Sequence, residues 1–151
     1  AQGKLYLIDT DQAAAVVGYI GGGKADAGAL RVACERFGRD FASISAVSLD
    51  GRPLRASQRV LVTVVARAGN QGAQWNEARN SLGQHWGRGP AIAERVPATI
   101  TLAGLGDRKV FALAPNGSRR SEVETDTTDD DRLTFAVHPA HQTLHYEIVP
   151  R

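Results

Sequence analysis

Residues 41–49 read FASISAVSL, and their side chains alternate between two faces. A period of two residues is typical of a β-strand, because successive side chains of a strand point to opposite sides. Asp50 and Gly51 follow, and this pair favours a turn that needs a positive φ angle. The stretch therefore predicts a strand with a hairpin or tight bend at its end. Its two faces are Phe41, Ser43, Ser45, Val47 and Leu49 on one side and Ala42, Ile44 and Ala46 on the other.

The same alternation recurs along the whole chain in short segments, separated by turn residues and without helix-period stripes. The sequence predicts an all-β fold, an antiparallel β-sandwich of the jelly-roll kind with about ten strands, with a closed barrel as the alternative. Pro115-Asn116-Gly117 predicts the clearest hairpin, since Asn-Gly fits the primed turns. Besides 41–49, the predicted strands are Lys4–Ile8, Ala15–Ile20, Ala29–Glu35, Arg59–Arg67, Ala98–Ala103, Lys109–Ala114, Ser121–Thr125, Arg132–His138 and Thr143–Val149.

Length and composition indicate one globular domain covering residues 1–151. Hydrophobic residues make up 42% of the chain and charged residues 23%, which is the balance of an ordinary folded protein. The formal net charge is only +2 and the basic residues are dispersed, so no nucleic-acid partner is expected. No apolar run approaches the roughly 20 residues of a membrane span, and no membrane partner is expected.

The single cysteine and the first residues bear on processing. Cys34 lies in an alternating apolar segment, so it is expected to be a small, buried apolar residue without a disulfide partner. The chain contains no Met and opens Ala-Gln-Gly-Lys, without the features of a signal peptide. This start is expected of a processed protein or of a domain excised from a larger one.

Several stretches together resemble a known family. They are residues 7–10 (LIDT), 16–23, 48–54 (SLDGRPL), 57–68 (SQRVLVTVVARA), Trp75-Asn76, 86–90 (WGRGP), Glu94 and 143–148 (TLHYEI). Their order resembles the C-terminal β-domain of large bacterial glycoside hydrolases built on a TIM barrel. The resemblance implies an accessory domain of a secreted or periplasmic, polysaccharide-degrading enzyme, whose catalytic carboxylates lie on a barrel absent from this chain. The implied partners are a polysaccharide or oligosaccharide and that catalytic domain.

The stretch Gly69–Pro90 is predicted to be a long loop, and it holds both tryptophans of the chain. Sugars bind by stacking a ring face on an indole while planar polar groups pair with their hydroxyls. The candidate glycan-binding residues are Trp75, Trp86, Asn76, Glu77, Arg79, Asn80, Gln84 and His85. In two alternatives the indoles fold back to cap the open end of the sandwich, or the loop packs on the catalytic barrel.

No metal or cofactor is expected. Acidic residues crowd one turn, and such turns can hold Ca²⁺, but their spacing matches no EF-hand loop and a solvated turn is favoured. Three histidines fall close together in sequence, yet they straddle a turn, and surface or cross-strand positions are favoured over a zinc site. The acidic residues are Asp126, Asp129, Asp130 and Asp131, and the histidines are His138, His141 and His145.

Motifs of catalysis are missing from the sequence. It has no Gly-x-Ser-x-Gly elbow and no helix-borne metal motif, and the Gly21–Gly23 run lacks the spacing of a phosphate loop. We therefore expect no enzyme, but a glycan-binding accessory module, with a domain that braces the catalytic barrel as first alternative and a stand-alone glycan-active enzyme as second. A glycan-binding module should expose its indoles to solvent, whereas a domain that braces the barrel should expose a broad apolar patch.

Overall fold

Fourteen β-strands and two short 3-10 turns make up the regular structure in the computed structural model, which describes residues 4–128 and 130–151. The 3-10 turns are Leu54–Ala56 and Pro139–His141, and no helix of the described residues is long and apolar enough to span a membrane. The strands are β1 Leu5–Asp9, β2 Ala13–Tyr19, β3 Lys24–Ala27, β4 Leu30–Cys34, β5 Phe41–Ser48, β6 Val60–Val65, β7 Ala68–Gln71, β8 Arg88–Ala93, β9 Ala98–Ala103, β10 Arg108–Leu113, β11 Arg119–Val123, β12 Asp126–Thr128, β13 Arg132–Val137 and β14 His145–Pro150.

Two antiparallel sheets form the sandwich. The larger sheet has the strand order β1-β2-β5-β6-β14-β10-β11, and the smaller has the order β12-β13-β9-β4-β3. A separate ribbon pairs β7 with β8. The predicted fold class is confirmed, and all ten predicted strands are present. The sequence missed β3, β7, β8 and β12.

The apolar core lies between the two main sheets and follows the alternation read from the sequence. On β5, the side chains of Ala42, Ile44 and Ala46 are fully buried, while Phe41 and Val47 face outward and are exposed. The predicted assignment of the two faces of this strand is therefore confirmed. The interior is closed by larger side chains from both sheets, including Ile100, Leu102, Leu133, Phe135, Tyr146 and Ile148.

The hairpin between β10 and β11 is confirmed, but its turn is not of the primed kind. The N–H of Gly117 donates to the carbonyl of Ala114 at 2.8 Å, so Pro115 and Asn116 are the central residues. A primed turn would require a positive φ at a central residue, whereas here the positive φ, 82°, falls on Gly117 after them. The turn thus ends in a bulge, and the pairing register shifts beside Leu113.

The predicted bend after β5 is built around a carboxylate. Asp50 accepts hydrogen bonds from the backbone N–H of Gln58 at 2.7 Å and from the hydroxyls of Ser48 and Ser57, each at 2.8 Å. The bond from Gln58, with those from the two serines, holds the pKa of Asp50 well below its usual range. Gly51 follows with a φ of 74°, as the turn prediction required. Residues 49–59 form a longer connection than a tight hairpin.

The thiol of Cys34 and the carboxylate of Glu147 are two further groups whose surroundings shift their pKa values. Cys34 is buried as predicted, and burial raises the pKa of its thiol to about 11. On the outer face of the larger sheet, Glu147 bridges two arginines, with Oε1 2.6 Å from Nε of Arg59 and Oε2 2.7 Å from Nε of Arg119. Burial alone would raise the pKa of Glu147, but the hydrogen bonds from Arg119 and Arg59 outweigh it and lower this pKa.

We predict that Ile44→Ala lowers the free energy of unfolding by about 2–5 kcal/mol, because it opens a cavity in a close-packed core. Val47→Ala, on the same strand but facing outward, is the matched control and should cost less than about 1 kcal/mol. Urea unfolding followed by circular dichroism measures both. Equal losses in the two variants would contradict the sandwich packing.

We further predict that Glu147→Gln lowers the free energy of unfolding at pH 7 by about 1–2 kcal/mol, a value reduced by the exposure of both arginines. The pKa of Glu147 is lower in the folded than in the unfolded protein, so the stabilisation is present above the unfolded-state pKa. It is lost as the pH falls through the folded-state pKa. The difference between wild type and variant should accordingly shrink in acid. Glu122→Gln, whose ion pair with Lys109 is exposed, should show little difference at any pH.

Candidate functional site: the arm and its cleft

The two-stranded ribbon and its connecting loop, residues 68–93, form a distinct arm whose strands hydrogen-bond to neither main sheet. Every residue of the arm is exposed except Ala73 and Leu82, which are half-buried. The predicted long loop 69–90 is thus corrected, because its two ends are the strands β7 and β8. Their sequences, AGNQ and RGPAIA, lack alternation since neither face of this ribbon is buried against a core.

Both indoles of the arm face solvent. The side chain of Trp75 is 51% exposed and that of Trp86 is 62% exposed. Neither belongs to the apolar core, so the alternative in which they fold back to cap the end of the sandwich is wrong. An exposed indole presents a flat apolar face for stacking, with an N–H donor at its edge.

Hydrogen bonds within the arm support the turn that carries Trp75. Oδ1 of Asn76 accepts from the backbone N–H of Asn80 at 3.1 Å, and Nδ2 of Asn76 donates to Oδ1 of Asn80 at 2.8 Å. The amide of Asn70 donates to the carbonyl of Trp86 at 3.1 Å and so ties β7 to the end of the loop. Asn76 and Asn80 therefore use much of their hydrogen-bonding capacity within the turn.

A cleft of about 730 Å³ lies along the arm, and we call it the arm cleft. Two of the predicted glycan-binding residues, Trp75 and Arg79, line it. The other six, Trp86, Asn76, Glu77, Asn80, Gln84 and His85, lie elsewhere on the arm, exposed to solvent. Polar residues outside the prediction complete the lining: Arg67, Asn70, Gln74 and Glu94.

Glu94 occupies a junction at the base of the arm. It lines the arm cleft, a second cleft of about 470 Å³ at the end of the sandwich, and a third of about 350 Å³ beside Phe37. Its N–H donates to the carbonyl of Arg67 at 2.7 Å, and its Oε1 accepts from the N–H of Arg39 at 3.3 Å. The carboxylate is half-buried, so it is held in place yet reachable by a ligand.

Carboxylates of the acidic turn form hydrogen bonds with other groups of the protein. The carboxylate of Asp130 bonds Thr128 and Arg132, and Oδ1 of Asp131 accepts from the N–H of Gly106 at 2.9 Å. Asp126 lies on β12, and Asp129 lies outside the described residues. Among residues 4–128 and 130–151, no three His, Cys, Asp or Glu side chains are grouped as a metal site would require.

The three histidines are held by different partners. Nδ1 of His141 lies 3.2 Å from the hydroxyl of Tyr146, and Nδ1 of His145 lies 3.1 Å from Oγ1 of Thr63 on the adjacent strand. Burial lowers the pKa of His141, and the electrostatic effect of His138 lowers it further, while burial raises the pKa of Tyr146 to about 12. His145 therefore occupies a cross-strand position on the outer face of the larger sheet.

Comparison of the chain with protein-family models, with curated proteins and with solved structures finds no match. The resemblance to the β-domains of glycoside hydrolases therefore stays a prediction. Functional inference rests on the residues and geometry of the arm and of the clefts at its base.

Proposed function

We propose that this chain is a non-catalytic accessory module of a secreted bacterial glycoside hydrolase that degrades polysaccharides, and that it binds glycan in the arm cleft. The observation that carries the proposal is the position of Trp75. Its half-exposed indole lines a cleft together with two guanidinium groups, those of Arg67 and Arg79, and with the carboxylate of Glu94.

This set of groups suits a sugar better than most other ligands. A pyranose ring has an apolar C–H face, which stacks on an indole, and a rim of hydroxyls. Arg67 and Arg79 supply N–H donors to hydroxyl oxygens, and Glu94 accepts hydrogen bonds from hydroxyl groups. The amides of Asn70 and Gln74 can do both, although Asn70 already donates one bond to Trp86.

The clefts around Glu94 also suit a chain rather than a single sugar. Glu94 lines all three clefts, so they lie close together at the base of the arm, as subsites for successive residues of a chain would. A module that binds even weakly raises the local concentration of polysaccharide for a catalytic domain joined to it. This gives glycan binding a purpose without any catalytic group in the chain.

A second function, bracing of the catalytic barrel, is supported by the outer face of the larger sheet. The outward positions of β1, β2, β5 and β6 all belong to the described residues, and none of them carries a charged side chain. Tyr6, Ile8, Tyr19, Phe41 and Val47 are exposed there. Apolar, charge-free faces of this kind mark contacts with another protein surface.

For the first function we predict that Trp75→Ala weakens glycan binding by roughly tenfold or more, through loss of the stacking face. A panel of soluble plant and algal polysaccharides is titrated, and binding is measured by calorimetry and by intrinsic fluorescence. Trp86→Ala is the matched control, because it removes a second indole of the same arm that is even more exposed and does not line the cleft. Equal losses in both variants, or binding unaffected by Trp75→Ala, would contradict the assignment of the site.

For the second function we predict that Val47→Lys lowers the thermal unfolding temperature of the complete enzyme but leaves that of the isolated domain nearly unchanged. The lysine would bury a charge at the interface, whereas in the isolated domain it faces water. Ala136→Lys, on the outer face of the smaller sheet, is the control and should change neither temperature. Scanning calorimetry measures both proteins, and an unchanged complete enzyme would rule out bracing through this face.

A further inference from the structure

The second cleft at Glu94, which we call the end cleft, differs in chemistry from the arm cleft. It opens at the end of the sandwich where β6, β10 and β13 terminate, and it has a volume of about 470 Å³. Apolar side chains from both sheets form most of its lining, among them Val64, Leu113, Val137 and Leu144. Val64 and Leu113 are buried in the wall, while Val137 and Leu144 are half-exposed.

Polar groups are placed at intervals on the same lining. His138, Gln142, His145 and Arg95 all belong to the lining. A mostly apolar concavity with a few convergent polar groups, in a volume of a few hundred Å³, is the usual form of a small-molecule site. A smooth protein end would instead close such a space with one large side chain.

The end cleft and the arm cleft share a wall. Ala93 and Glu94, at the point where the chain leaves the arm, line both of them. The side chain of Ala93 at this shared wall is a single methyl group. A ligand seated on Trp75 would extend past Ala93 to place a further group in the apolar space.

We propose that the end cleft is a subsite for an apolar substituent, an acyl or aryl group, carried by the glycan that the arm cleft binds. The inference rests on the proposed function and narrows it to substituted glycans. The arm cleft holds the polar sugar rings, and the end cleft removes the ester or aromatic group from water. Its rim supplies donors for the oxygen that joins such a group to the sugar, through the amide of Gln142 or the guanidinium of Arg95.

The affinity of matched ligands tests this directly. Methyl and phenyl glycosides of glucose, galactose, xylose and arabinose are compared by calorimetry. The phenyl glycoside of a sugar that binds should have a Kd about tenfold or more below that of its methyl glycoside, because burial of a phenyl ring is worth at least this factor. Equal Kd values for the two glycosides would overturn the inference.

Substitutions in the end cleft test whether the preference for phenyl over methyl glycosides arises there. Leu144→Asp places a charge in the end cleft and should abolish the preference for phenyl while leaving the Kd of the methyl glycoside unchanged. Leu49→Asp is the control, because Leu49 is an exposed leucine in the connection after β5 and lines none of the three clefts. If Leu144→Asp fails to fold, Pro115→Trp, at an exposed turn position on the cleft rim, fills the same space and should have the same effect. A preference that survives in folded variants would overturn the inference.

A probe without sugar separates this inference from the proposed function. N-phenyl-1-naphthylamine, which fluoresces in apolar sites, should bind the wild-type chain and the Trp75→Ala variant alike, and it should not bind Leu144→Asp. Dye binding of this pattern without binding of any glycoside would support the apolar subsite and count against the glycan proposal. Trp75-dependent binding of methyl glycosides, with neither dye binding nor a phenyl preference, would support the glycan proposal and overturn the subsite.

Discussion

The contact between the two main sheets is the constraint on which the rest of the structure depends. A strand that takes part in it must place an apolar side chain at every second position, and it must expose the positions between them. Ala42, Ile44 and Ala46 on β5 meet this requirement with complete burial. The facing sheet contributes Ile100, Leu102 and Leu133, also fully buried, so this part of the interior is apolar and built from both sheets. Polar groups are therefore confined to the ends and outer faces.

The same constraint explains which parts of the fold could be predicted from the sequence. All ten predicted strands have at least one side chain in the interior or beside it, and alternation made each visible. β12 has the sequence DTT and lies at the edge of its sheet, where it leaves no apolar residue inside. The arm strands β7 and β8 contact no core at all, and every one of their residues is exposed. A strand without an inward face carries no period-two signal, so these three strands required the structure. β3, which the sequence also missed, places only the small side chains of Ala25 and Ala27 toward the core.

The lining of the arm cleft could be predicted only in part, for a related reason. Trp75 and Arg79 stood out because an indole and a guanidinium in a polar stretch suggest a ligand. Arg67 and Glu94 lie in the stretches that carry the family resemblance, but neither is among the predicted glycan-binding residues, since both fall outside the predicted loop 69–90. Arg67 and Glu94 are neighbours because β7 and β8 pair antiparallel, which brings the two ends of the arm together. Glu94 donates its N–H to the carbonyl of Arg67. Convergence of residues so far apart in sequence is a property of the strand pairing, which sequence spacing does not reveal.

The two sides of the arm cleft differ in how firmly they are held. Trp75 lies on an exposed turn of the arm, supported by the mutual hydrogen bonds of Asn76 and Asn80 and by backbone bonds within the arm. Glu94 lies where the chain enters the sandwich, and its carboxylate is held by the N–H of Arg39 from a different loop. In the proposed complex, a glycan gains stacking energy from the indole and takes its position from the carboxylate, because a group anchored on a rigid frame loses little freedom on binding. The same frame carries Val64 and Leu113 of the end cleft. On this proposal the sandwich sets the separation between the polar and apolar parts of the bound glycan, and the arm supplies the stacking face.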